Sequence, residues 1–189
     1  MKGKALHATV RRTQQNHALL RVSAAFLFLG AASASGAAPS AGPPRIRFPL
    51  ELTDPLTATP VRLESGAQVL HLAFTATWCE PCVEELSHLT DLELRWGERG
   101  YRLVLVAVST RQTAERLRRF VQARKPPGRL LLDASGQVQR MFGIDSIPAH
   151  VLVDKEGRLL YTAASLQGGV EATLKAEFED KSKGLESHP

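Results

Sequence analysis

Residues 74–82 read Phe74-Thr75-Ala76-Thr77-Trp78-Cys79-Glu80-Pro81-Cys82, and this stretch holds the only two cysteines among the 189 residues of the chain. Two thiols separated by two residues can close a disulfide and open it again with little movement of the backbone. A disulfide that closes a loop of about four residues stabilises a fold by only about 2 kcal/mol, because it removes little entropy from the unfolded chain. The pair is therefore better suited to transfer electrons than to stabilise the fold.

The flanks of this stretch predict a strand followed by a helix. Val69–Thr75 is an apolar run that leads into the cysteines. Pro81 stands where the first turn of a helix tolerates a proline. Apolar residues from Val83 to Trp96 then continue a mostly helical pattern. Cys79 is thus predicted to begin the helix, where free backbone N–H groups and the positive end of the helix dipole lower the pKa of a thiol. This reasoning makes Cys79 the exposed attacking thiol and Cys82 the covered one.

The rest of the chain predicts an α/β fold. Leu103–Val108 is a near-continuous apolar run, typical of a strand covered on both faces. Short alternating pieces between Ile46 and Leu63 predict an N-terminal β-hairpin extension. The other predicted elements are a helix at Thr113–Arg124, a short strand at Leu130–Leu132, a helical turn or two at Val138–Phe142, a hairpin of Val151–Val153 with Leu159–Tyr161, and a last helix at Val170–Phe178. This order implies a central mixed β-sheet flanked by helices on both faces.

The basic character of the chain belongs to its first residues. Five of the 24 Lys and Arg residues precede position 34, and the remaining 19 match the 19 Asp and Glu residues. No basic stripe interleaved with aromatics is visible, so no nucleic-acid partner is expected. Residues 1–34 have the pattern of a signal peptide: a positive start, an apolar stretch from Val22 to Ala32, and Ala32-Ser33-Ala34 as a small-residue cleavage site.

These features predict a periplasmic or otherwise extracytoplasmic protein. The alternative is a membrane anchor made by an uncleaved signal, but the apolar run is shorter than the ~20 residues that a spanning helix needs. Residues 35–45 are predicted to be a flexible spacer, residues 46–180 the folded domain and residues 181–189 a polar tail. Outside the cytosol a thiol pair meets oxidising conditions, so a partner must set its redox state.

Taken together, these residues resemble the thioredoxin-like superfamily, and most closely its exported thiol-disulfide oxidoreductases of the TlpA/ResA type. The resemblance covers roughly residues 46 to 180. It rests on the Trp-Cys-Glu-Pro-Cys block, on Glu85, on Leu131-Leu132-Asp133 and on Gly143-Ile144-Asp145-Ser146-Ile147-Pro148. It implies a thioredoxin-like fold and a redox-active pair in which Cys79 forms a mixed disulfide with the substrate and Cys82 resolves it.

The resemblance also implies roles for residues outside the pair. Glu85 matches an acidic residue that takes the proton of the second cysteine or adjusts the pKa values of the pair; the alternative is an ordinary solvated carboxylate. Pro148 is expected to follow a cis peptide bond, so that Ile147 offers its backbone to an extended substrate segment. Trp78 is expected to shape the docking surface.

Two positions depart from the pattern of these relatives. Ser87 stands where they usually place a kinking proline, and Ala73 stands where cytosolic thioredoxins keep a buried aspartate. The second departure leaves Glu85 as the better candidate for proton transfer.

The dipeptide between the cysteines is expected to tune the couple. Glu80, together with Glu84 and Glu85, opposes thiolate formation, and Pro81 completes the Glu-Pro pair seen in ResA-like proteins. An oxidant needs a strongly stabilised thiolate. The carboxylates therefore favour a reductase of protein disulfides, which by resemblance serves cytochrome c maturation or another secreted protein. A membrane electron donor of the DsbD/CcdA kind, a monomeric state and no cofactor are expected.

Several alternatives stay open at this point. An exported disulfide-forming oxidant uses the same residues in the opposite direction. A peroxidase of the peroxiredoxin branch uses a threonine three residues before its reactive cysteine, where this chain has Ala76. A non-enzymatic redox sensor or copper-binding module is a third alternative, although copper-delivering relatives place three residues between their cysteines. A zinc site needs further ligands, and His71, His88 and His150 show no ligand spacing.

Overall fold

A computed structural model describes residues 45–167 and 169–180 of the chain. The predicted signal peptide, nearly all of the predicted spacer and the predicted polar tail lie outside the described residues. Among residues 45–167 and 169–180, every helix lacks the length and hydrophobicity that a membrane-spanning helix requires.

A seven-stranded mixed sheet forms the centre of the fold, with the strand order β2-β1-β5-β4-β3-β6-β7. Strands β3, β4 and β5 run parallel to one another, and the remaining neighbours pair antiparallel. The strands are β1 (Leu50–Thr53), β2 (Pro60–Leu63), β3 (Val69–Thr75), β4 (Tyr101–Val108), β5 (Arg129–Asp133), β6 (Ala149–Asp154) and β7 (Leu159–Ala163). The α-helices are α1 (Glu80–Glu84), α2 (Leu86–Trp96), α3 (Ala114–Arg124), α4 (Gln137–Met141) and α5 (Gly169–Lys175). This arrangement confirms the predicted α/β fold with a thioredoxin-like central sheet.

The two faces of the sheet carry separate apolar clusters. Strand β3 is buried on both faces: Leu70, Leu72 and Phe74 belong to the cluster that also contains the two cysteines, whereas Val69 and Ala73 belong to the cluster beneath α2 and α5. Because successive side chains of a strand point to opposite faces, a strand in this central position needs apolar residues on both faces. The same alternation places His71 on the α2 face, between Val69 and Ala73.

The N-terminal strands β1 and β2 pair antiparallel over four residues, from Leu50 opposite Leu63 to Thr53 opposite Pro60. They join the sheet through Thr53, which lies opposite Leu132 of β5. They lie where the sequence predicts the hairpin. That this hairpin is an extension of the thioredoxin-like fold stays a prediction.

The predicted helix that follows the cysteines is interrupted. It consists of α1 and α2, which meet at Glu85, whereas the sequence pattern indicated a mostly helical segment that runs on to Gly97 without a break. Ser87 lies in the first turn of α2, and the break forms without a proline at this position. Glu85, at this break, contacts His150 of β6 and the backbone of Leu166 after β7.

Candidate active site

Cys79 and Cys82 form a disulfide at the point where β3 gives way to α1. Cys79 is the N-cap residue of α1, in extended backbone conformation, and Pro81 lies in the first turn, as predicted. The backbone N–H of Cys82 donates to Sγ of Cys79 at 3.3 Å. One of the N–H groups left free at the start of a helix therefore points at the sulfur that is expected to become the thiolate.

Both cysteines are covered in the disulfide form. Cys79 is 5% exposed and Cys82 is 3% exposed. The expected contrast between an exposed and a covered thiol is therefore wrong for this state. Its physical reason is that the bond ties both sulfurs into one apolar cluster, which also includes Ala76 and Ala149.

Trp78 lies beside the disulfide and is held by the loop after β4. Its indole Nε1–H donates to the carbonyl oxygen of Thr110 at 2.9 Å. The guanidinium of Arg111 stacks over the indole ring, 4.4 Å from the ring centre. Trp78 is 40% exposed, so it offers an apolar surface whose orientation is held by the contacts to Thr110 and Arg111.

The Ile147–Pro148 peptide bond is cis, as the resemblance to the thioredoxin-like superfamily implied. Both residues are half-buried, and Ile147 packs against the cluster that contains the cysteines. A groove of about 400 Å³ runs past this turn and is lined by Pro81, Glu84, Glu85, Pro148 and Leu166, among others. The groove therefore joins the active-site helix to the cis-proline turn.

The carboxylates around the pair occupy two kinds of environment. Glu80 and Glu84 are exposed on α1. Glu85 is largely buried, and both of its carboxylate oxygens accept hydrogen bonds. Oε1 accepts from the backbone N–H of Leu166 at 3.1 Å, and Oε2 accepts from Nε2 of His150 at 3.0 Å. Glu85 is thus no ordinary solvated carboxylate.

A buried polar chain continues from Glu85 into the core, and the sequence analysis missed it. Nδ1 of His150 lies 3.0 Å from Nε2 of His71, and Nδ1 of His71 lies 2.6 Å from the hydroxyl oxygen of Tyr101. Burial, with the nearby His150 as a second cause, holds the pKa of His71 well below its ordinary value. Burial, with the charge of Glu93 as a second cause, raises the pKa of Tyr101 above its ordinary value. The sequence signal for this chain was a histidine within each of two otherwise apolar strands, His71 in β3 and His150 in β6.

Within residues 45–167 and 169–180, no group of three or more His, Cys, Asp or Glu side chains is arranged to hold a metal ion. Two of the histidines that were weighed as zinc ligands, His71 and His150, bind each other instead.

Known proteins resemble this chain in sequence and in structure. The thiol-disulfide oxidoreductase ResA of Bacillus thuringiensis subsp. konkukian is 26% identical over 89 residues, which are 47% of this chain and 50% of the relative. ResA of Halalkalibacterium halodurans is 24% identical over 162 residues, 85% of this chain and 88% of the relative. This chain spans about half the length of the Bacillus ResA proteins that it matches.

The structure of StoA from Bacillus subtilis superimposes with a TM-score of 0.55 at 21% identity, covering 69% of this chain and 97% of the other. At that identity the likeness shows a shared fold. The sequence model of the AhpC/TSA family matches residues 48–162. The match begins at Phe48, whose peptide bond to Pro49 is cis, and ends within β7. With the match covering more than half of its residues, the chain belongs to the AhpC/TSA family.

Proposed function

We propose that this chain is an exported thiol-disulfide oxidoreductase that reduces protein disulfides. The observation that carries the proposal is the Cys79–Cys82 disulfide at the start of α1, with the Cys82 N–H on the Cys79 sulfur and a groove leading to Pro148. The names of the ResA relatives support the same class of activity.

The reaction begins with the reduced pair. The Cys79 thiolate attacks one sulfur of the substrate disulfide; that S–S bond breaks, and the other substrate sulfur leaves as a thiolate that takes a proton from water. Cys82 then loses its proton and attacks Cys79, which closes the Cys79–Cys82 bond and releases the second substrate sulfur. Two electrons pass from the protein to the substrate, and the protein ends in the disulfide form.

Glu85 is proposed to accept the Cys82 proton in the second step. It follows Cys82 by three residues, about one helical turn, at the break between α1 and α2. Each carboxylate oxygen already accepts one hydrogen bond, and each keeps a further lone pair for a proton. The same residue afterwards returns the proton to the released substrate thiolate or to water.

The substrate is proposed to lie in the groove as an extended segment. The backbone of Ile147 is proposed to offer hydrogen-bonding groups to this segment, Pro148 lines the groove, and the exposed ring of Trp78 is proposed to add an apolar contact surface. This mode resembles the addition of a strand to a sheet edge, which recognises backbone more than side chains.

Electron flow is proposed to run towards the substrate. Glu80 and Glu84 place negative charge next to the attacking sulfur, which disfavours the strongly stabilised thiolate of an oxidant. Pro81 between the cysteines fixes the first turn of α1. By resemblance, apocytochrome c is the proposed substrate class, and a membrane donor of the DsbD/CcdA kind re-reduces the pair.

Export is part of the proposal. The signal at 1–34, the spacer at 35–45 and the polar tail at 181–189 are proposed to flank a monomeric domain of residues 46–180 in the periplasm or its equivalent. Detection of a mature chain that begins near residue 35 in an extracytoplasmic fraction tests the signal, and an uncleaved chain in the membrane fraction contradicts it.

A trapping experiment tests the activity. In the Cys82→Ala variant the second step is blocked, so Cys79 is expected to accumulate as a mixed disulfide with native substrate proteins in the extracytoplasmic fraction. Cys79→Ala is the matched control and is expected to trap nothing. Absence of any Cys79-linked adduct contradicts the proposed reductase.

A further inference from the structure

A chain of four side chains runs from the surface groove into the core on the α2 face of the sheet. It links Glu85, His150, His71 and Tyr101 through three contacts of 3.0, 3.0 and 2.6 Å. Three of its members are buried, and they come from β6, β3 and β4. Strand pairing fixes the arrangement, because His150 lies opposite Ala73 in the register of β3 and β6, two residues from His71.

With Glu85 ionised and both imidazoles neutral, one arrangement of hydrogens satisfies every contact. An ionised Glu85 only accepts, so His150 must carry its proton on Nε2 and present a bare Nδ1. His71 must then donate from its own Nε2, which leaves its Nδ1 to accept from the Tyr101 hydroxyl. The low pKa of His71 and the high pKa of Tyr101 agree with a neutral imidazole and an intact phenol.

The direction of these bonds gives the chain a chemical role. All three donors point towards Glu85, so the phenol and both imidazoles polarise one another in the sense that favours negative charge on the carboxylate. A protonated Glu85 accepts less well, and protonating His150 on Nδ1 requires His71 to change its tautomer and the phenol to rotate. The buried chain therefore resists taking up the proton itself.

We propose that His150 is a positioning residue which, backed by His71 and Tyr101, holds Glu85 in place as the ionised proton acceptor for Cys82. This inference rests on the proposed function, since it deepens the role given there to Glu85. The groups that face the chain are the Leu166 N–H from the β7–α5 loop, Glu84 of α1, and His88 and Glu93 of α2.

The test follows the second chemical step directly. The reduced full-length chain is mixed with 5,5′-dithiobis(2-nitrobenzoate), and thionitrobenzoate release is followed in two phases: attack by Cys79, then attack by Cys82. The rate of the second phase is measured against pH. His150→Leu is expected to move its lower inflection upward by about one pH unit, because the carboxylate loses a buried donor. Tyr101→Phe is expected to move it in the same direction by less.

The controls separate the possible failures. Tyr161→Phe, a matched loss of a hydroxyl outside the chain, is expected to leave the inflection in place. If Glu85→Gln abolishes the inflection while His150→Leu and Tyr101→Phe both leave it unchanged, the positioning role is overturned and the proposed function stands. If Glu85→Gln changes nothing, the acceptor role of Glu85 falls and this inference falls with it, while thiol exchange by the pair is still seen.

A second measurement needs no variant. Nitrogen-15 NMR of the imidazole rings in the unmodified protein is expected to show Nε2–H and a bare Nδ1 for both His71 and His150 at neutral pH. A proton on Nδ1 of either ring overturns the proposed direction of the chain.

Discussion

The backbone N–H of Cys82 donates to the sulfur of Cys79 across the first turn of α1. The reverse relationship does not exist, because Cys82 sits inside the helix and Cys79 caps it. The two thiols of the reduced pair are therefore expected to lie in different electrostatic environments, although the two residues are almost equally buried.

This asymmetry predicts different thiol acidities. In Cys82→Ala, the pKa of Cys79 is expected to fall below the value of a free thiol, since the helix start stabilises the thiolate. In Cys79→Ala, the pKa of Cys82 is expected to exceed it, since burial disfavours the charge. The rate of iodoacetamide alkylation against pH measures both values, and equal inflections in the two variants contradict the assigned roles.

Glu80 is expected to make the pair more reducing. In Glu80→Gln the carboxylate beside Cys79 is lost, so the thiolate is better stabilised and the reduction potential is expected to rise. Because Glu80 is exposed, solvent and salt screen the effect, and a rise of less than about 30 mV is expected, shrinking at high salt. Glu98→Gln, which removes an exposed carboxylate just after the end of α2, is the matched control. A lower potential in Glu80→Gln contradicts this tuning role.

Arg111 is expected to hold Trp78 in its docking orientation. It has a positive φ of 52°, which asparagine tolerates well, so Arg111→Asn removes the guanidinium while keeping the loop. Losing an exposed cation–π contact costs about 0.5–1 kcal/mol, which is roughly a two- to five-fold rise in KM for a protein disulfide with little change in kcat. Arg119→Ala on α3 is the control. An unchanged KM shows that Trp78 does not need this support.

Stability is expected to fall on mild acidification because of His71. Its pKa in the folded chain lies well below the ordinary value of 6.5 that the unfolded chain retains, so the unfolded state binds more protons below pH 6.5. The contribution of neutral, buried His71 to the free energy of unfolding is therefore fully present above pH 6.5. It is lost as the pH falls, by at most about 1.4 kcal/mol per pH unit. Urea unfolding between pH 5 and 8 measures it.

The matched variants for this pH effect are His71→Gln and His88→Gln. The first removes a buried imidazole and is expected to flatten the slope, whatever it does to the overall stability. The second removes an exposed imidazole on α2 and is expected to keep the slope of the unmodified chain. A slope that survives in His71→Gln assigns the acid sensitivity to another group.

Much of the fold could be predicted from the sequence because the decisive signals are local. Val69–Thr75 is mostly apolar and forms β3 with the predicted bounds, and Thr113 caps α3 through its side chain. The cysteine motif predicted the helix start because proline and the N-cap position constrain the backbone within one turn.

The polar chain behind the site could not be predicted in the same way. His71 and His150 are 79 residues apart, and their contact depends on the register of β3 against β6. The break at Glu85 was missed for a related reason: apolar periodicity continues through it, while the contacts of its carboxylate come from β6 and the β7–α5 loop. Ser87 gave no local sign of a break.

Equilibrium titration of the Cys79–Cys82 pair against a dithiol buffer tests the proposed reductase most directly. A single reversible two-electron transition with a potential near that of thioredoxin, about −270 mV, is expected. A potential near about −120 mV, the value of a strong oxidant, contradicts the proposed direction. A pair that never changes its redox state contradicts the proposed function altogether.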